Sequence, residues 1–395
     1  VSSQGDHTLA IDNEGVLWAW GFNLCGELGD GTTSNSTSPI NISEIYDMPA
    51  MKSAVACEWH SVALDVNGNV WTWGSNGIGG LLGDGSGMFD FYRYQPRNIT
   101  AHLKGTANEI PSMTQISSNG KHTLALDEDG NVWAWGGGIE YQVGNEVEVS
   151  RYPVNITKYW KEHPTKTISM PAMQKVAAGS DYTLVLDVYG KIWGWGSGYT
   201  GMTGCGPAMS KSPLKVSEDY YTDLPDVITD INAGYANHAF ALDSQGTVYG
   251  WGWNSYNGIC GSHPIGIPIS PPVNVTDEQP LSSPIKAIHA ANLHTIALDK
   301  NGVVWTWGDN TDGQIGNGVV SPTIPGAQGE QTAFNVSSQH DLPVITAISG
   351  GFSSCFALDE NGIIWAWGGN SYGQLGNGTK TRSPIPVMIK HPLAP

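Results

Sequence analysis

Residues 122–136 decide the fold, and they read His122-Thr-Leu-Ala-Leu-Asp127-Glu-Asp-Gly130-Asn-Val-Trp133-Ala-Trp135-Gly136. The last four residues form a tetrad of an aromatic residue, a small residue, Trp and Gly, which occurs seven times in the 395-residue chain. The tetrads begin at Trp18, Trp71, Trp133, Trp193, Tyr249, Trp305 and Trp365. Recurrence of one such unit along a chain is the signature of a repeat architecture. The sequence therefore predicts seven copies of one structural unit.

An Asp and a Gly precede every tetrad and indicate a tight turn. The Asp lies at positions 12, 65, 127, 187, 243, 299 and 359, and the Gly follows three residues later each time. An Asp that opens a turn and a Gly that closes it, between two β-rich runs, are typical of a hairpin. The hairpin explains the row of Asp residues without a catalytic role.

The strand that follows the turn is apolar on both faces. In Leu17-Trp18-Ala19-Trp20 the two Trp side chains point to one face, and Leu17 and Ala19 point to the other. A strand that is buried on both faces belongs to a sheet packed between two other sheets. Blades arranged around an axis meet this requirement. We therefore predict an all-β fold, a seven-bladed β-propeller.

The two ends of the chain lie in different parts of the repeat. Residues 1–7 match residues 116–122, so the chain begins after the start of a unit. It ends with Ser383-Pro384-Ile385-Pro386-Val387, which resembles the Pro-led strand that closes most units. We expect the N- and C-terminal strands to pair in one blade and close the ring, because closure removes open sheet edges. Residues 1–395 are then one propeller domain.

Composition and charge exclude several classes of function. Eighteen Lys and Arg residues face 36 acidic residues, a formal charge of −18, so nucleic acid and anionic membranes are disfavoured as partners. No apolar run of about 18 residues is present to span a membrane. The five cysteines form no Cys-x-x-Cys pair, so neither a zinc ribbon nor a dithiol site is indicated, and most are expected to be buried.

The combined motif resembles the repeats of the regulator of chromosome condensation family. It reads G-x-x-H-T-L-A-L-D-x-x-G-x-V-W-x-W-G-x-N-x-x-G-Q-L-G and is most complete in residues 121–144 and 293–316. The resemblance implies a seven-bladed propeller that binds another protein with one face of the disc. Family members include a nucleotide exchange factor that docks on chromatin, light-signalling proteins, parts of ubiquitin ligases and a secreted bacterial inhibitor. The resemblance extends to a secreted bacterial-type member.

Two further rows of residues repeat with the fold. A His stands five residues before the repeat Asp at positions 7, 60, 122, 238 and 294, and Tyr182 and Ser354 replace it elsewhere. One His in each blade cannot easily converge on a metal ion, so hydrogen bonding within each blade is expected. Five Asn-x-Ser/Thr sequons, at Asn41, Asn98, Asn155, Asn274 and Asn335, share one repeat position, and the repetition explains them without glycosylation.

The best functional signal is a set of aromatic residues in the variable connections. Aromatic side chains on loops supply large contact areas and dominate interface hot spots. We take as candidate partner-binding residues Phe89, Phe91, Tyr92, Tyr94, Tyr159, Trp160, Tyr199, Tyr220, Tyr221, Trp253 and Tyr256. The alternative is that these rings only pack over the rims of the blades.

The sequence favours a monomeric protein-binding scaffold that uses loops on one face. No enzyme activity, cofactor or metal is expected. A carbohydrate-binding propeller is the first alternative, because exposed aromatic rings also stack on sugars, and a regulator similar to a guanine-nucleotide exchange factor is the second. A start at Val1 and a composition poor in Lys and rich in Trp favour an extracellular or cell-surface location over a cytoplasmic one.

Overall fold

Seven antiparallel sheets form the protein in this computed structural model, which describes residues 1–77, 80–87, 89–206, 208–216, 224–260, 263–321 and 329–389. Six sheets contain four strands paired in sequence order, and the first contains three. Each sheet contacts the next along the chain through its inner strands. This is the predicted seven-bladed β-propeller, and the blades are numbered here along the chain.

The strands of each blade follow one another from the inside of the ring to its rim. Blade 1 contains His7–Ile11, Leu17–Gly21 and Ser36–Asn41. Blade 2 contains Met51–Ala56, His60–Asp65, Val70–Ser75 and Tyr92–Asn98. Blade 3 contains Met113–Ser118, His122–Asp127, Val132–Gly137 and Val149–Asn155. Blade 4 contains Met173–Ala178, Tyr182–Asp187, Ile192–Gly196 and Ser210–Lys215. Blade 5 contains Ile228–Ala233, His238–Asp243, Val248–Trp253 and Pro268–Asn274. Blade 6 contains Ile285–Ala290, His294–Asp299, Val304–Gly308 and Glu330–Asn335. Blade 7 contains Ile345–Gly350, Ser354–Asp359, Ile364–Gly368 and Ser383–Met388.

The repeat Asp organises the hairpin turn, as the sequence predicts. In blade 4 the Oδ1 atom of Asp187 accepts hydrogen bonds from the backbone N–H groups of Tyr189 and Lys191, both at 2.9 Å. Its Oδ2 atom accepts a bond from the indole of Trp193 at 3.0 Å. The same three bonds form in blades 1, 2, 3 and 7. The Asp row is therefore structural.

The second Trp of each tetrad joins its blade to the preceding one. The buried indole N–H of Trp73 donates to the carbonyl of Glu27 in blade 1 at 2.8 Å, and that of Trp195 donates to Gln142 in blade 3 at 3.0 Å. Equivalent bonds cross the other interfaces between blades. The tetrad thus supplies both the core of a blade and its link to a neighbour.

The expected closure of the ring by pairing the two ends of the chain was wrong. Ser383–Met388 pairs with Ile364–Gly368 of its own repeat, and blade 1 has its own Pro-led strand, Ser36–Asn41. Ser2 forms a single bridge to Leu9 where other blades have an inner strand. The interface that closes the ring has the same hydrogen bond as the other interfaces between blades. The indole of Trp20 in blade 1 donates to the backbone carbonyl of Gln374 in blade 7 at 2.8 Å.

The repeated sequons are explained by a short helix after the outer strand. The described α-helices are Ile42–Tyr46, Ile99–Leu103, Ile156–Lys161, Val275–Glu278 and Val336–His340, and the sequon Asn caps the N-terminus of each. In blade 3, Asn155 accepts from the backbone of Lys158, and the hydroxyl of Thr157 accepts from the backbone of Val132 at 3.0 Å. Both sequon side chains therefore hold the helix against the blade.

Strand direction divides the loops between two faces of the disc. The loops from the first to the second strand and from the third to the outer strand leave one end, which we call the loop face. The Asp–Gly hairpin turns leave the opposite end, which we call the turn face. Four of the five cysteines are buried, and Cys25 is partly exposed. Among the described helices, none has the length and apolar character needed to cross a lipid bilayer.

Candidate partner-binding face

The loops between the first and second strands meet near the axis of the loop face. The hydroxyl of Tyr235 in blade 5 donates to Oε2 of Glu58 in blade 2 at 2.9 Å. The ring of Tyr235 also lies 6.2 Å from that of Phe352 in blade 7. These blades are not neighbours in the ring, so their loops must cross the centre. The centre of the loop face is therefore a continuous surface made by several blades.

Two large aromatic side chains on this central surface are open to solvent. Trp59 is 43% exposed and Phe352 is 41% exposed. Phe22, from the third-to-outer loop of blade 1, contacts Trp59 and Tyr372 edge-on, with ring centroids 6.0 Å and 4.9 Å away. Phe22 thus supports Trp59, and Tyr235 supports Phe352. Rigid, half-exposed aromatic rings are typical of residues that anchor a binding partner.

The central surface also carries acidic groups. Burial, followed by repulsion from Asp312 and Glu58, raises the pKa of Asp6 to about 6, although a hydrogen bond from Gln374 acts in the opposite direction. Lys121 is paired with Asp181 at 2.7 Å. Burial is the largest cause of this shift, and the repulsion from Asp312 and Glu58 adds a locally negative potential. A cationic group placed here would be attracted to this surface.

A second aromatic cluster lies at the rim of the loop face in blade 2. Phe89 is 92% exposed, and Phe91, Tyr92 and Tyr94 are also exposed. The rings of Tyr92 and Tyr94 stack with their planes 19° apart, because residues two apart on a strand share a face. Tyr92 and Tyr94 line a groove of about 430 Å³ beside blade 1. Three of the predicted contact residues, Phe91, Tyr92 and Tyr94, therefore form one cluster of rings, and Phe89 precedes them in the same connection.

An ion-pair network fixes the strand that carries this cluster. Asp84 is buried and accepts from Arg93 at 3.2 Å and from Arg97 at 2.9 Å. Burial alone would raise the pKa of Asp84, but its bonds to Ser86 and the charges of the two Arg side chains outweigh burial and lower it. Asp84 is thus held as an anion. The aromatic cluster is presented on a rigid strand.

The remaining sequence candidates do not join one surface. Tyr199 is exposed on the third-to-outer loop of blade 4, whereas Tyr159, Trp253 and Tyr256 are half-buried. Tyr220 and Tyr221 lie outside the described residues. The prediction for Trp160 was wrong: it is 1% exposed and donates to the carbonyl of Gly144 at 2.7 Å. It lies four residues after Ile156 in a helix, so both side chains face the core.

Trp59, Tyr235 and Phe352 were missed by the sequence-based prediction. Trp59 occupies a variable position directly before the repeat His, and Phe352 lies in the corresponding loop where Ser354 replaces the His. Tyr235 lies in a loop that is one residue longer, Gly234-Tyr-Ala-Asn-His238. The prediction searched the longer connections and passed over these short ones. Because the rest of the motif is constant, a large aromatic residue at a variable position was the signal that could have found them.

The repeat His residues link neighbouring blades, so the expectation of bonds within each blade was wrong. Nε2 of His7 lies 2.8 Å from the hydroxyl of Ser61 in blade 2, and Nε2 of His122 lies 2.8 Å from that of Thr183 in blade 4. Burial lowers the pKa of both histidines to about 3. These histidines are neutral structural residues.

Family models match much of the chain. Two models of the regulator of chromosome condensation (RCC1) repeat match residues 14–64, 129–186 and 361–394, and residues 113–142, 228–257, 285–314 and 345–374. These ranges together cover more than half of the chain. The chain belongs to the RCC1 repeat family. The resemblance predicted from the sequence motif is confirmed.

Three curated relatives show the breadth of the RCC1 repeat family. The ultraviolet-B receptor UVR8 of Arabidopsis thaliana is 26% identical over 99% of this chain and 81% of the receptor. The guanine nucleotide exchange factor SRM1 of Saccharomyces cerevisiae is 24% identical over 95% of this chain and 82% of that protein. The E3 ubiquitin-protein ligase HERC2 of Homo sapiens is 27% identical over 80% of this chain, which spans only 6% of the ligase. The expected secreted bacterial-type membership is not borne out.

Solved structures agree on the fold. Prp20p of Saccharomyces cerevisiae, whose binding to Gsp1p and histones is described, has a TM-score of 0.76 at 21% identity, covering 97% of this chain and 88% of its own. Human WBSCR16 has a TM-score of 0.74 at 18% identity, covering 95% of each chain. At such identities the likeness establishes the RCC1-type propeller alone.

Proposed function

We propose that this protein is a non-catalytic scaffold that binds another protein with its loop face. The observation that carries the proposal is the exposed aromatic cluster of Phe91, Tyr92 and Tyr94, in which the two Tyr rings stack on a strand fixed by Asp84. Fixed aromatic rings provide contact area with little loss of conformational entropy on binding. Loops held by a rigid scaffold commonly carry binding.

The central surface defines the chemistry of the partner. Asp312 and Glu58 repel the carboxylate of Asp6 and add to burial, which is the largest cause of its raised pKa. Trp59 and Phe352 are exposed on the same surface. A partner segment that carries Lys or Arg beside apolar residues complements this arrangement. Its affinity should fall as salt is added, because salt screens exposed charges.

The experiment compares capture of partners by the wild type and by a triple variant. The full chain and F91S/Y92S/Y94S are immobilised separately and exposed to the proteome of the source, and each retained protein is then titrated in purified form. The triple variant should lose at least tenfold in affinity. Its melting temperature should change little, since these side chains are exposed.

Tyr189 provides the matched control on the turn face. It is 69% exposed in the hairpin turn of blade 4, on the opposite end of the disc from the aromatic cluster. Tyr189→Ser should leave the affinity unchanged. Equal affinity of the triple variant and the wild type for every purified partner, or a loss caused by Tyr189→Ser alone, would contradict the proposed binding face.

Two other functions are separated by direct assays. Exposed tyrosine rings can stack on sugars, so binding to a glycan array that the F91S/Y92S/Y94S change abolishes would favour the carbohydrate-binding alternative. The relation to SRM1 supports testing nucleotide release from small GTPases. Acceleration of that release by the wild type would favour an exchange factor.

A further inference from the structure

The third-to-outer loop of blade 5 carries two residues, Cys260 and His263, that differ from those at the same positions in other blades. Their side chains lie close together. In blade 7, Asn370 accepts from the backbone of Leu375 and donates to the carbonyl of Thr379. In blade 5, Asn254 makes the same two bonds to Ile259 and His263. This equivalence places Cys260 where blade 7 has Gly376 and His263 where it has Thr379.

A side chain at the position of Cys260 conflicts with the regular turn. A Cβ atom at Gly376 would lie 2.7 Å from Nε1 of Trp20, and one at Gly316 would lie 2.9 Å from Nε1 of Trp367. In blade 5, Tyr256 takes a positive φ of 49°, whereas the φ of Asn257, 60°, is positive as it also is at the equivalent Gly313 and Gly373. A positive φ is strained for a non-glycine residue such as Tyr256. The turn that carries Cys260 therefore differs from the regular one at Tyr256.

The third departure is Glu278, in the helix that follows the outer strand. The equivalent helix positions in blades 1, 2, 3 and 6 are Ile45, His102, Tyr159 and Gln339. In the same four blades a glycine occupies the position of Cys260. The position of His263 is occupied by Thr32, Ser86, Val147 and Val319, respectively. A thiol, an imidazole and a carboxylate meet at these positions in blade 5 and in none of these four blades.

The three groups have the separations of metal ligands. Sγ of Cys260 lies 3.4 Å from Nδ1 of His263, which lies 3.8 Å from Oε2 of Glu278. All three ligand atoms lie within 4.8 Å of one another. Tetrahedral zinc with its usual bond lengths places sulfur and nitrogen ligands about 3.5 Å apart and nitrogen and oxygen ligands about 3.4 Å apart. One zinc ion therefore fits among them with small side-chain rotations.

We propose that Cys260, His263 and Glu278 bind one Zn²⁺ ion, with water in the fourth coordination position. Zinc accepts this combination of sulfur, nitrogen and oxygen ligands. The ion joins the third-to-outer loop of blade 5 to the helix at Val275–Glu278. No metal site was expected from the sequence, because the cysteines form no Cys-x-x-Cys pair and the repeat His residues lie one to a blade. Glu278 is distant from Cys260 and His263 in the sequence and approaches them only in the folded structure.

The test titrates the full chain, stripped with a chelator and then freed of it, with Co²⁺ and then with Zn²⁺. Co²⁺ should bind one equivalent and give a thiolate-to-metal absorption band, which Zn²⁺ should abolish by displacement. Cys260→Ser should eliminate the band, and His263→Asn and Glu278→Gln should each weaken binding at least tenfold. Zn²⁺ should raise the melting temperature of the wild type and not that of these variants.

Two variants outside the site serve as matched controls. Cys25→Ser alters the one cysteine that is not buried, and His102→Asn alters the blade 2 position equivalent to Glu278. Both should bind Co²⁺ as the wild type does. His263→Asn and Glu278→Gln alter partly exposed groups, so they test the site even if Cys260→Ser fails to fold. No saturable binding near one equivalent, or a band that survives Cys260→Ser, would overturn the proposal.

Discussion

At the scale of single residues, one carboxylate holds each hairpin turn and the Trp beside it. Asp187 accepts from two backbone N–H groups and from the indole of Trp193. In blade 5, Asp243 makes the same two backbone bonds, but Tyr249 replaces the Trp. The two positions therefore differ by one indole bond, and this difference can be measured.

Asp187→Asn should destabilise the protein more than Asp243→Asn does. An Asn can retain the Oδ1 acceptor for the backbone but replaces Oδ2 with an NH₂ group, which cannot accept from Trp193. Loss of a hydrogen bond to a charged group lowers the free energy of unfolding by about 1.5–3 kcal/mol. Urea unfolding of the two variants measures the difference, and equal values would show that the indole bond contributes nothing.

The buried histidines make stability sensitive to acid. Burial lowers the pKa from 6.5 to about 3 or 4 in His7, His60, His122, His238, His289 and His294. The unfolded chain therefore takes up protons below pH 6.5 that the folded protein does not bind. The free energy of unfolding should be intact above pH 6.5 and should fall with pH towards 4, by about 1.4 kcal/mol per pH unit for each His. Asp6 acts in the opposite direction, because its pKa is raised to about 6 in the folded protein. Between pH 6 and 3.8 it adds to the free energy of unfolding as the pH falls.

His122→Gln should remove the contribution of one histidine to the fall in the free energy of unfolding with falling pH. The amide can keep a hydrogen bond to Thr183 but does not titrate. Urea unfolding at several pH values between 4 and 7 gives the slope for the variant and for the wild type. An unchanged slope in His122→Gln would contradict its burial as a neutral residue.

Individual site residues were predicted less well than the repeat that contains them. The blade 2 cluster could be predicted because Phe89, Phe91, Tyr92 and Tyr94 stand close together in a long variable loop. The burial of Trp160 could not be predicted from its loop-like position, because it depends on a helix of six residues capped by Asn155. The central surface depends on contacts between blades that are distant in sequence.

At the scale of elements, the sequon is a capping device. Asn155 caps a helix, while Thr157 accepts from the backbone N–H of Val132 on the third strand. The helix and the strand are thereby joined in blade 3. The repetition of the sequon was recognised in the sequence, but its role was not, because the partner strand lies about 25 residues earlier.

Thr157→Val should destabilise the protein, whereas Thr157→Ser should not. Valine has nearly the same shape but leaves the N–H of the buried Val132 without its acceptor, a loss of about 1–3 kcal/mol. Serine retains the hydroxyl. Thermal or urea unfolding of both variants measures the effect, and a neutral Thr157→Val change would show that the bond to Val132 is not needed.

At the scale of the whole molecule, the seven blades close through one repeated interface. Gln374 accepts from Thr8 at 3.0 Å and from Trp20 at 2.8 Å between blades 7 and 1. Gln142 accepts from Thr183 at 2.7 Å and from Trp195 at 3.0 Å between blades 3 and 4. The number of blades was predictable from the tetrads. The mode of closure was not, since the Pro-led strand pairs with the tetrad before it in sequence.

Trp20→Phe and Trp195→Phe should therefore have similar effects. Each removes one indole hydrogen bond and part of a buried ring, so each should lower the free energy of unfolding by about 1–4 kcal/mol, with the two values about equal. Chemical unfolding measures both. A Trp20→Phe effect near zero beside a large Trp195→Phe effect would mean that the interface between blades 7 and 1 is open in solution.

The loop face is the surface on which we propose that this protein binds its partner. Hydrogen exchange of the full chain, measured with and without a purified partner, maps that surface without any substitution. Slower exchange on binding is expected in residues 57–59, 89–94 and 351–353, with no change in the hairpin turns at residues 66–69 and 188–190. Protection confined to those turns would contradict the proposal and would place the partner on the turn face.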